Sequence, residues 1–244
     1  KWVGGKTQLL PELIKRVPEQ YGAYYEPFVG GGALFFALSP EIATVADIND
    51  DLVNVYQVVK QQPEELLAEL ENYENDSDFY YATRAIDQNT LSPLKRAARL
   101  IYLNRTCFNG LYRVNAKGMF NVPFANYKNP NFIQTDKIMK AHAALENTKI
   151  LHVGYKDAVA RAKGGDFIYL DPPYIPKDMY SDFKRYNKEQ FHLNDHEELE
   201  RTFSMLHNRG CYVMLSNSDT PITRELYRNW RIETVQARRS INSV

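Results

Sequence analysis

Cysteine is almost absent. Cys107 and Cys211 are the two in 244 residues, too few and too far apart for a disulfide framework or a cysteine-rich metal site. No metal is therefore expected, and a reducing cytoplasm fits best. No apolar run approaches the roughly 18 residues that span a bilayer, so no membrane partner is expected either. The opening Lys1-Trp2-Val3-Gly4-Gly5-Lys6 lacks the apolar core of a secretory signal and also lacks an initiator Met, which points to residues before it. Net charge is missing too, with 30 Lys and Arg balancing 30 Asp and Glu. That balance at first argues against a polyanionic partner.

A more local absence reverses the argument. Residues 88–135 contain no Asp or Glu, where the chain-wide rate of 30 in 244 gives about six. The same stretch holds Lys95, Arg96, Arg99, Arg105, Arg113, Lys117 and Lys128. A segment without carboxylates removes repulsion where phosphates must approach. A solvated face of chance composition is the plainer alternative.

What is present is ordinary in bulk and patterned in detail. Hydrophobic residues at 44% and charged residues at 25% suit a globular chain, and this length allows one large domain or a core carrying an insertion. Residues 23–48 read strand, glycine turn (Gly30-Gly31-Gly32), helix (33–38) and strand (42–47). The style returns late, with β-rich runs at 149–153, 166–170 and 211–216 and a helix over 195–208 capped by Asn194. Such alternation implies an α/β fold with a largely parallel sheet. Between these parts, Leu66, Leu67 and Leu70, then Ala97, Leu100, Ile101 and Leu103, recur at helical spacing. Residues 104–134 are rich in Asn, Gly, Pro and aromatics without a period. The organisation read here is a Rossmann-like core, residues 1–54 and 147–244, with a mostly helical insertion at 55–146.

The strand that runs into Glu26-Pro27-Phe28-Val29-Gly30-Gly31-Gly32 and then a helix makes a nucleotide-type turn. Glycines permit positive φ and close ligand approach at the C-terminal end of a strand. Asp47 ends the next strand, where a carboxylate can take both ribose hydroxyls of an adenosine while Ile48 packs on its base. A ligand-free tight turn is the alternative. Gly4-Gly5-Lys6 lacks the preceding strand and first glycine of a phosphate loop. Trp2 and Lys6 read instead as a flap over the cofactor, with Trp2 in the core as the simpler possibility.

The apolar run Phe167-Ile168-Tyr169-Leu170 ends in Asp171-Pro172-Pro173-Tyr174. Two prolines stop the strand ladder, since neither has an amide hydrogen, and they leave the Pro172 carbonyl rigid and outward. Adenine's amino group is a poor nucleophile because its lone pair is delocalised into the ring. Two acceptors, Asp171 and the Pro172 carbonyl, can hold both amino hydrogens, pull the nitrogen towards tetrahedral geometry and aim its lone pair at a methyl donor. A target base in a duplex must first be flipped out, and Tyr174 would stack on it. A Pro-Pro turn after a buried strand is the alternative.

Trp2-Val3-Gly4-Gly5-Lys6, the Glu26–Gly32 run, Asp47-Ile48-Asn49 and Asp171-Pro172-Pro173-Tyr174 together resemble the ordered motifs of the Dam-type adenine-specific DNA methyltransferases, the alpha group that includes Dam and DpnII-like enzymes. The resemblance covers nearly the whole chain. It implies S-adenosylmethionine as cofactor, held by Trp2, Lys6, Phe28, Gly30, Gly32, Asp47 and Ile48, with Gly154, Tyr155 and Asp157 along its adenine side. It implies catalysis at Asp171, Pro172, Pro173 and Tyr174, and a β-hairpin entering the DNA at residues 104–115. By position Arg113 would read a guanine edge, Leu111 and Pro123 a thymine methyl, and Lys1 the outer guanine. Phe108 would wedge into the gap left by the flipped adenine and Asn109 would hold the orphaned thymine, with Arg105, Tyr127 and Lys128 as further DNA contacts. The implied target is GATC in double-stranded DNA, methylated by a monomer in a bacterial or phage-like cytoplasm. Phe108 stands where Tyr is more familiar, and Asn126 where some relatives carry Arg. Hairpin packing is the plainer role for Phe108 and Tyr112. The resemblance also implies a final strand after Val244, and residues 175–187 read as a loop closing over the base.

Three other readings stay open at this stage. A dinucleotide-dependent (NAD or NADP) oxidoreductase explains the glycine turn but gives the tetrapeptide no task. A DNA-binding module without catalysis, or a methyltransferase acting on RNA or protein amides, would keep most of the motifs. His192 and His196, four apart, lack a third ligand and read as a cap or surface pair.

Overall fold

A computed structural model describes residues 5–175 and 191–236 of the chain. Lys1 and Trp2 lie outside the described residues, as does the segment expected to close over the base except for Ile175. In chain order the elements are α1 (Leu10–Ile14), β1 (Tyr24–Glu26), α2 (Ala33–Leu38), β2 (Ala43–Asp47), α3 (Asp50–Gln61), α4 (Pro63–Leu70), α5 (Ser77–Ala85), α6 (Pro93–Thr106) and α7 (Thr135–Leu145). They continue with β3 (Thr148–His152), α8 (Tyr155–Ala158), β4 (Phe167–Leu170), α9 (Leu193–Asn208), β5 (Tyr212–Leu215) and α10 (Pro221–Leu226).

The five strands are parallel and ordered β3-β2-β1-β4-β5. Strands covered on both faces read as continuous apolar runs, and every residue of β4 is buried. Chain direction across the sheet reverses between β1 and β4, which pair Tyr24 with Phe167 and Tyr25 with Ile168. Ligands of open α/β sheets sit at such a switch point, outside the strand C-termini. Here that point lies between the glycine turn after β1 and the tetrapeptide after β4.

The middle of the chain is helical, as its spacing predicts. Leu66 and Leu70 of α4 are fully buried, worth about 1.5–3 kcal/mol each. Asn49, Asp76 and Ser92 cap α3, α5 and α6 by accepting from Leu52, Phe79 and Lys95 amides. The boundary read at 54/55 falls inside α3. Leu52, Tyr56, Val58 and Val59 of that helix share one core with Tyr24, Val45, Phe167 and Tyr169 of the sheet and with Leu66, Leu70, Ala97 and Ala98 of the helices. A separate cluster of Tyr80, Tyr102, Leu103, Cys107, Phe120 and Val122 supports the loop after α6.

That loop is a sparse hairpin. Antiparallel bridges join Cys107 to Phe124 and Val114 to Phe120, with a 3-10 turn at Phe108–Gly110, so isolated pairs replace continuous strands. The cap of α9 also differs from expectation. It is His192, whose amide donates to Asp195 at 2.7 Å, and Asn194 lies inside the helix. His196 is buried against Phe191 and is no surface residue. Among the described residues no helix is long and apolar enough to cross a membrane, and no group of three His, Cys, Asp or Glu is placed to hold a metal.

Candidate active site

The two strand tips open into one cleft of about 2350 Å³. A small-molecule pocket is typically about 300–1,000 Å³, so this cleft exceeds what one small ligand needs. Its walls include Lys6, Phe28, Gly30, Gly32, Asp47, Ile48 and the whole of Asp171–Tyr174, joined by Arg105, Asn109 and Leu111 from the helical side. The predicted cofactor and catalytic residues among these line one cavity, and the strands that carry the glycine turn and the tetrapeptide pair directly.

The turn after β1 is held by groups on two elements, β2 and α3. Gly30 and Gly32 have φ of 46° and 61°, in the left-handed region that favours glycine. The Gly30 amide donates to Asp47 Oδ2 at 3.1 Å, and the Asn49 amide to Asp47 Oδ1 at 2.9 Å. Burial pushes the Asp47 carboxyl up while these amides pull it back. A carboxylate can accept about four hydrogen bonds, so Asp47 keeps acceptor capacity for an incoming hydroxyl. The Tyr56 hydroxyl donates to the Gly30 carbonyl at 3.0 Å, and a Cβ on Gly32 would lie 2.7 Å from that hydroxyl. Ile48 is 76% exposed, an apolar platform beside the cleft. Phe28 and Tyr155 stack at 5.3 Å, with Phe191 edge-on to Phe28 at 6.0 Å.

At the tip of β4, Asp171 is engaged on both oxygens. Lys6 Nζ lies 2.7 Å from Oδ2, and the Ser216 hydroxyl donates to Oδ1 at 2.6 Å. Tyr169 OH and Ser216 Oγ are 3.0 Å apart. Burial pushes Asp171 above the ordinary carboxylate value, with Lys6 and Ser216 opposing the shift. Burial lowers Lys6, but Asp171 and Tyr174 outweigh it and its pKa is raised. The Lys6 ammonium also sits 4.5 Å from the centre of the Tyr174 ring. Among the described residues the Pro172 carbonyl accepts no hydrogen bond.

Glu26 is fully buried beneath the turn. It accepts from Tyr24 OH at 2.7 Å and from the Phe35 amide at 3.1 Å, and burial pushes its pKa up to about 8. That shift favours its protonated form at neutral pH.

One expected cofactor residue lies off the cleft. Asp157 is exposed on α8 and does not line the cleft; Gly154 and Tyr155 form the wall there. Of the seven basic residues in the acid-free stretch, Arg96 pairs with Asp50 and Asp51, and buried Arg99 donates to the Thr83 and Arg84 carbonyls. Arg105 is half-buried and donates to Gln134. Lys95, Arg113, Lys117 and Lys128 are exposed. On the loop, Phe108 is 45% exposed, while Tyr112 donates to Asp51 and packs inward. Asn109 has φ of 55°, and its amide donates to Tyr127 OH at 3.2 Å. Pro123 is exposed beside Phe108, whose amide donates to its carbonyl. Arg113 projects outward with two nitrogens on Asn121.

Sequence reasoning missed Glu26, Tyr56, Ser216 and Asn217 as site residues. Ser216-Asn217 had a usable signal: polar residues directly after an apolar strand of a parallel sheet, the same context that singled out Asp171.

A sequence profile for D12 class N6 adenine-specific DNA methyltransferases matches residues 2–241. The chain is 43% identical over 248 residues to the Type II methyltransferase M1.LlaDCHI of Lactococcus lactis subsp. cremoris, covering 98% of this chain and 87% of the relative. It is 37% identical to the Type II methyltransferase M.MjaIII of Methanocaldococcus jannaschii, covering 99% and 91%. It is 35% identical to the DNA adenine methylase of Escherichia coli K12, covering 100% and 88%. An Asp-Pro-Pro-Tyr tetrapeptide and a glycine turn lining one cleft, on a chain whose residues 2–241 match the profile, leave one assignment: this protein belongs to the D12 class of N6 adenine-specific DNA methyltransferases.

Proposed function

We propose that this adenine-specific DNA methyltransferase uses S-adenosylmethionine and acts, as a monomer, on an adenine flipped out of a GATC duplex. The observation that carries the reading is the adjacency of the β1 and β4 tips, which puts the glycine turn and Asp171–Tyr174 in one cleft. The residues fit a sulfonium-bearing adenosine. Asp47 has lone pairs left for ribose hydroxyls, Ile48, Phe28 and Tyr155 offer apolar surface for a base, and Gly30 and Gly32 let the backbone approach. When bound, the cofactor supplies an electrophilic methyl group.

The chain's own residues then position and polarise the amine. Asp171 and the Pro172 carbonyl each accept one amine hydrogen, which localises the nitrogen lone pair. Lys6 keeps Asp171 ionised, and only an ionised carboxylate is purely an acceptor. Tyr174 stacks the base and carries Lys6 against its other contacts. The raised pKa of Asp171 suits it to receive the proton that the nitrogen sheds once methylated. On the DNA side, Phe108 is the exposed wedge, Asn109 meets the orphaned thymine, and Arg113 reads a guanine with its two-pronged donors. The helical segment 55–146 is the target-reading part, and the GATC preference rests on the resemblance of its loop.

Labelled methyl transfer to duplexes with and without GATC tests the reading. Transfer should require S-adenosylmethionine and the GATC site, and Asp171→Ala should abolish it while DNA binding persists. Equal labelling of both duplexes would overturn the target, and turnover by Asp171→Ala would overturn the mechanism.

A further inference from the structure

Four buried side-chain atoms among the described residues lack a hydrogen-bond partner: Tyr155 OH, His196 Nδ1, Tyr227 OH and Asn217 Nδ2. Asn217 differs from the rest by its place. It follows Ser216 at the tip of β5 and lines the cleft beside the tetrapeptide. Its Oδ1 accepts from the Ile175 amide at 3.1 Å and the Ser218 amide at 2.8 Å. Two backbone donors on one atom fix which end of the carboxamide is oxygen, so the amino end is turned away from them. Ile175 directly follows Tyr174, so this side chain is tied to the backbone that carries the catalytic groups.

An unpaired buried donor is costly, and on a residue that lines a binding cleft a ligand can supply the missing partner. The chemistry of the base supplies that partner. Asp171 and the Pro172 carbonyl are acceptors and recognise only the amine hydrogens. The adenine amine is flanked by two ring nitrogens, N1 and N7, each with an in-plane lone pair that those acceptors cannot engage. We propose that Asn217 is a further substrate-contacting residue, whose Nδ2 donates to N1 or N7 of the adenine held by Asp171 and Pro172. A contact at N1 adds selectivity, because a guanine carries hydrogen there and repels a facing donor; a contact at N7, an acceptor in both purines, adds orientation alone. This inference rests on the reading above, in which the base enters this cleft.

The test pairs variants with altered bases. Asn217→Asp keeps an oxygen for the Ile175 and Ser218 amides but replaces the donor with an acceptor, and Asn217→Ala removes the donor without adding charge. Each is compared with wild type for kcat/KM on duplexes whose target is adenine, 1-deazaadenine or 7-deazaadenine. Both variants should lose about tenfold or more on adenine, the scale of one hydrogen bond. On one of the deaza bases, where C–H replaces the ring nitrogen, the gap between wild type and variant should close to about twofold. The deaza base on which it closes identifies the nitrogen. A gap of the same size on all three bases overturns the inference, because a purely structural role would not respond to the ring atom. Wild type that fails on the adenine duplex itself would instead bring down the functional reading beneath it.

Discussion

Lys6 Nζ and Asp171 Oδ2 lie 2.7 Å apart, joining the segment before α1 to the tip of β4. In the mechanism proposed above, this pair holds Asp171 ionised. Burial raises the Asp171 pKa, and the Lys6 ammonium beside it does most to oppose that rise. Methyl transfer should therefore fall as pH drops through a value above the ordinary carboxylate range. Lys6→Met should lower kcat and move that acid limb to higher pH. A pH–rate profile of the variant superimposable on wild type, apart from scale, would show that Lys6 does not hold Asp171 ionised.

Glu26 gives a stability prediction of defined sign. Its folded pKa is about 8, against about 4.5 in the unfolded chain. Below pH 4.5 both states hold the proton and its contribution is complete. As pH rises towards 8 the unfolded chain ionises first, so stability declines across that window at about 1.4 kcal/mol per unit. Glu26→Gln keeps an acceptor for Tyr24 and Phe35 and removes the titration. The variant should match wild type near pH 4.5 and exceed it by about 3–5 kcal/mol near pH 8. Parallel curves of Tm against pH would refute this.

Gly32→Ala should weaken both fold and cofactor binding. A left-handed alanine costs about 1–2 kcal/mol, and the new Cβ would press on Tyr56 OH and on the Phe36 ring at 2.9 Å. Calorimetry with S-adenosylmethionine reads the effect, and Tyr56→Phe in the same chain should recover part of the lost affinity. No recovery would mean that the hydroxyl is not the obstacle.

Arg113 and Lys128 should separate base reading from phosphate attraction. Arg113→Ala should relax discrimination at one base pair by about 1–3 kcal/mol. Lys128→Ala should weaken all duplexes alike and reduce the salt dependence of binding by about one charge. Methylation rates on single-base variants of GATC, with binding titrations at several salt concentrations, distinguish the two.

The sheet was legible because buried parallel strands leave a continuous apolar signature, and Phe167–Leu170 has nothing else to be. The glycine turn and the tetrapeptide were legible for a related reason: polar or glycine residues directly after such a strand stand where ligands bind. Contacts between distant parts of the chain were not. Lys6 read as a flap because no local pattern announces a partner as far along as Asp171. Arg96 and Arg99 read as a phosphate face because charge counting cannot tell a solvated guanidinium from one already occupied by Asp51 or by backbone carbonyls. Asp157 was carried by its motif neighbours, and one turn of helix turns it outward. The loop after α6 lacked a period because bridges and a 3-10 turn impose none. An oxidoreductase reading fails on the same ground that first weakened it, since it leaves Asp171–Tyr174 idle at the switch point.

Helix α3 belongs at once to the layer over the sheet and to the helical segment. Swinging that segment away as a rigid body would strip Tyr56, Val58 and Val59 from one neighbour or the other. Helix α6 gives Ala97 and Ala98 to that shared core and Tyr102 and Leu103 to the cluster under the Phe108 loop, so it ties the loop to the sheet that carries Asp171. In the function proposed above, the travel of a nucleobase from its stack to Asp171 then falls to bending and unpairing of the nucleic acid, without a swing of the helical segment.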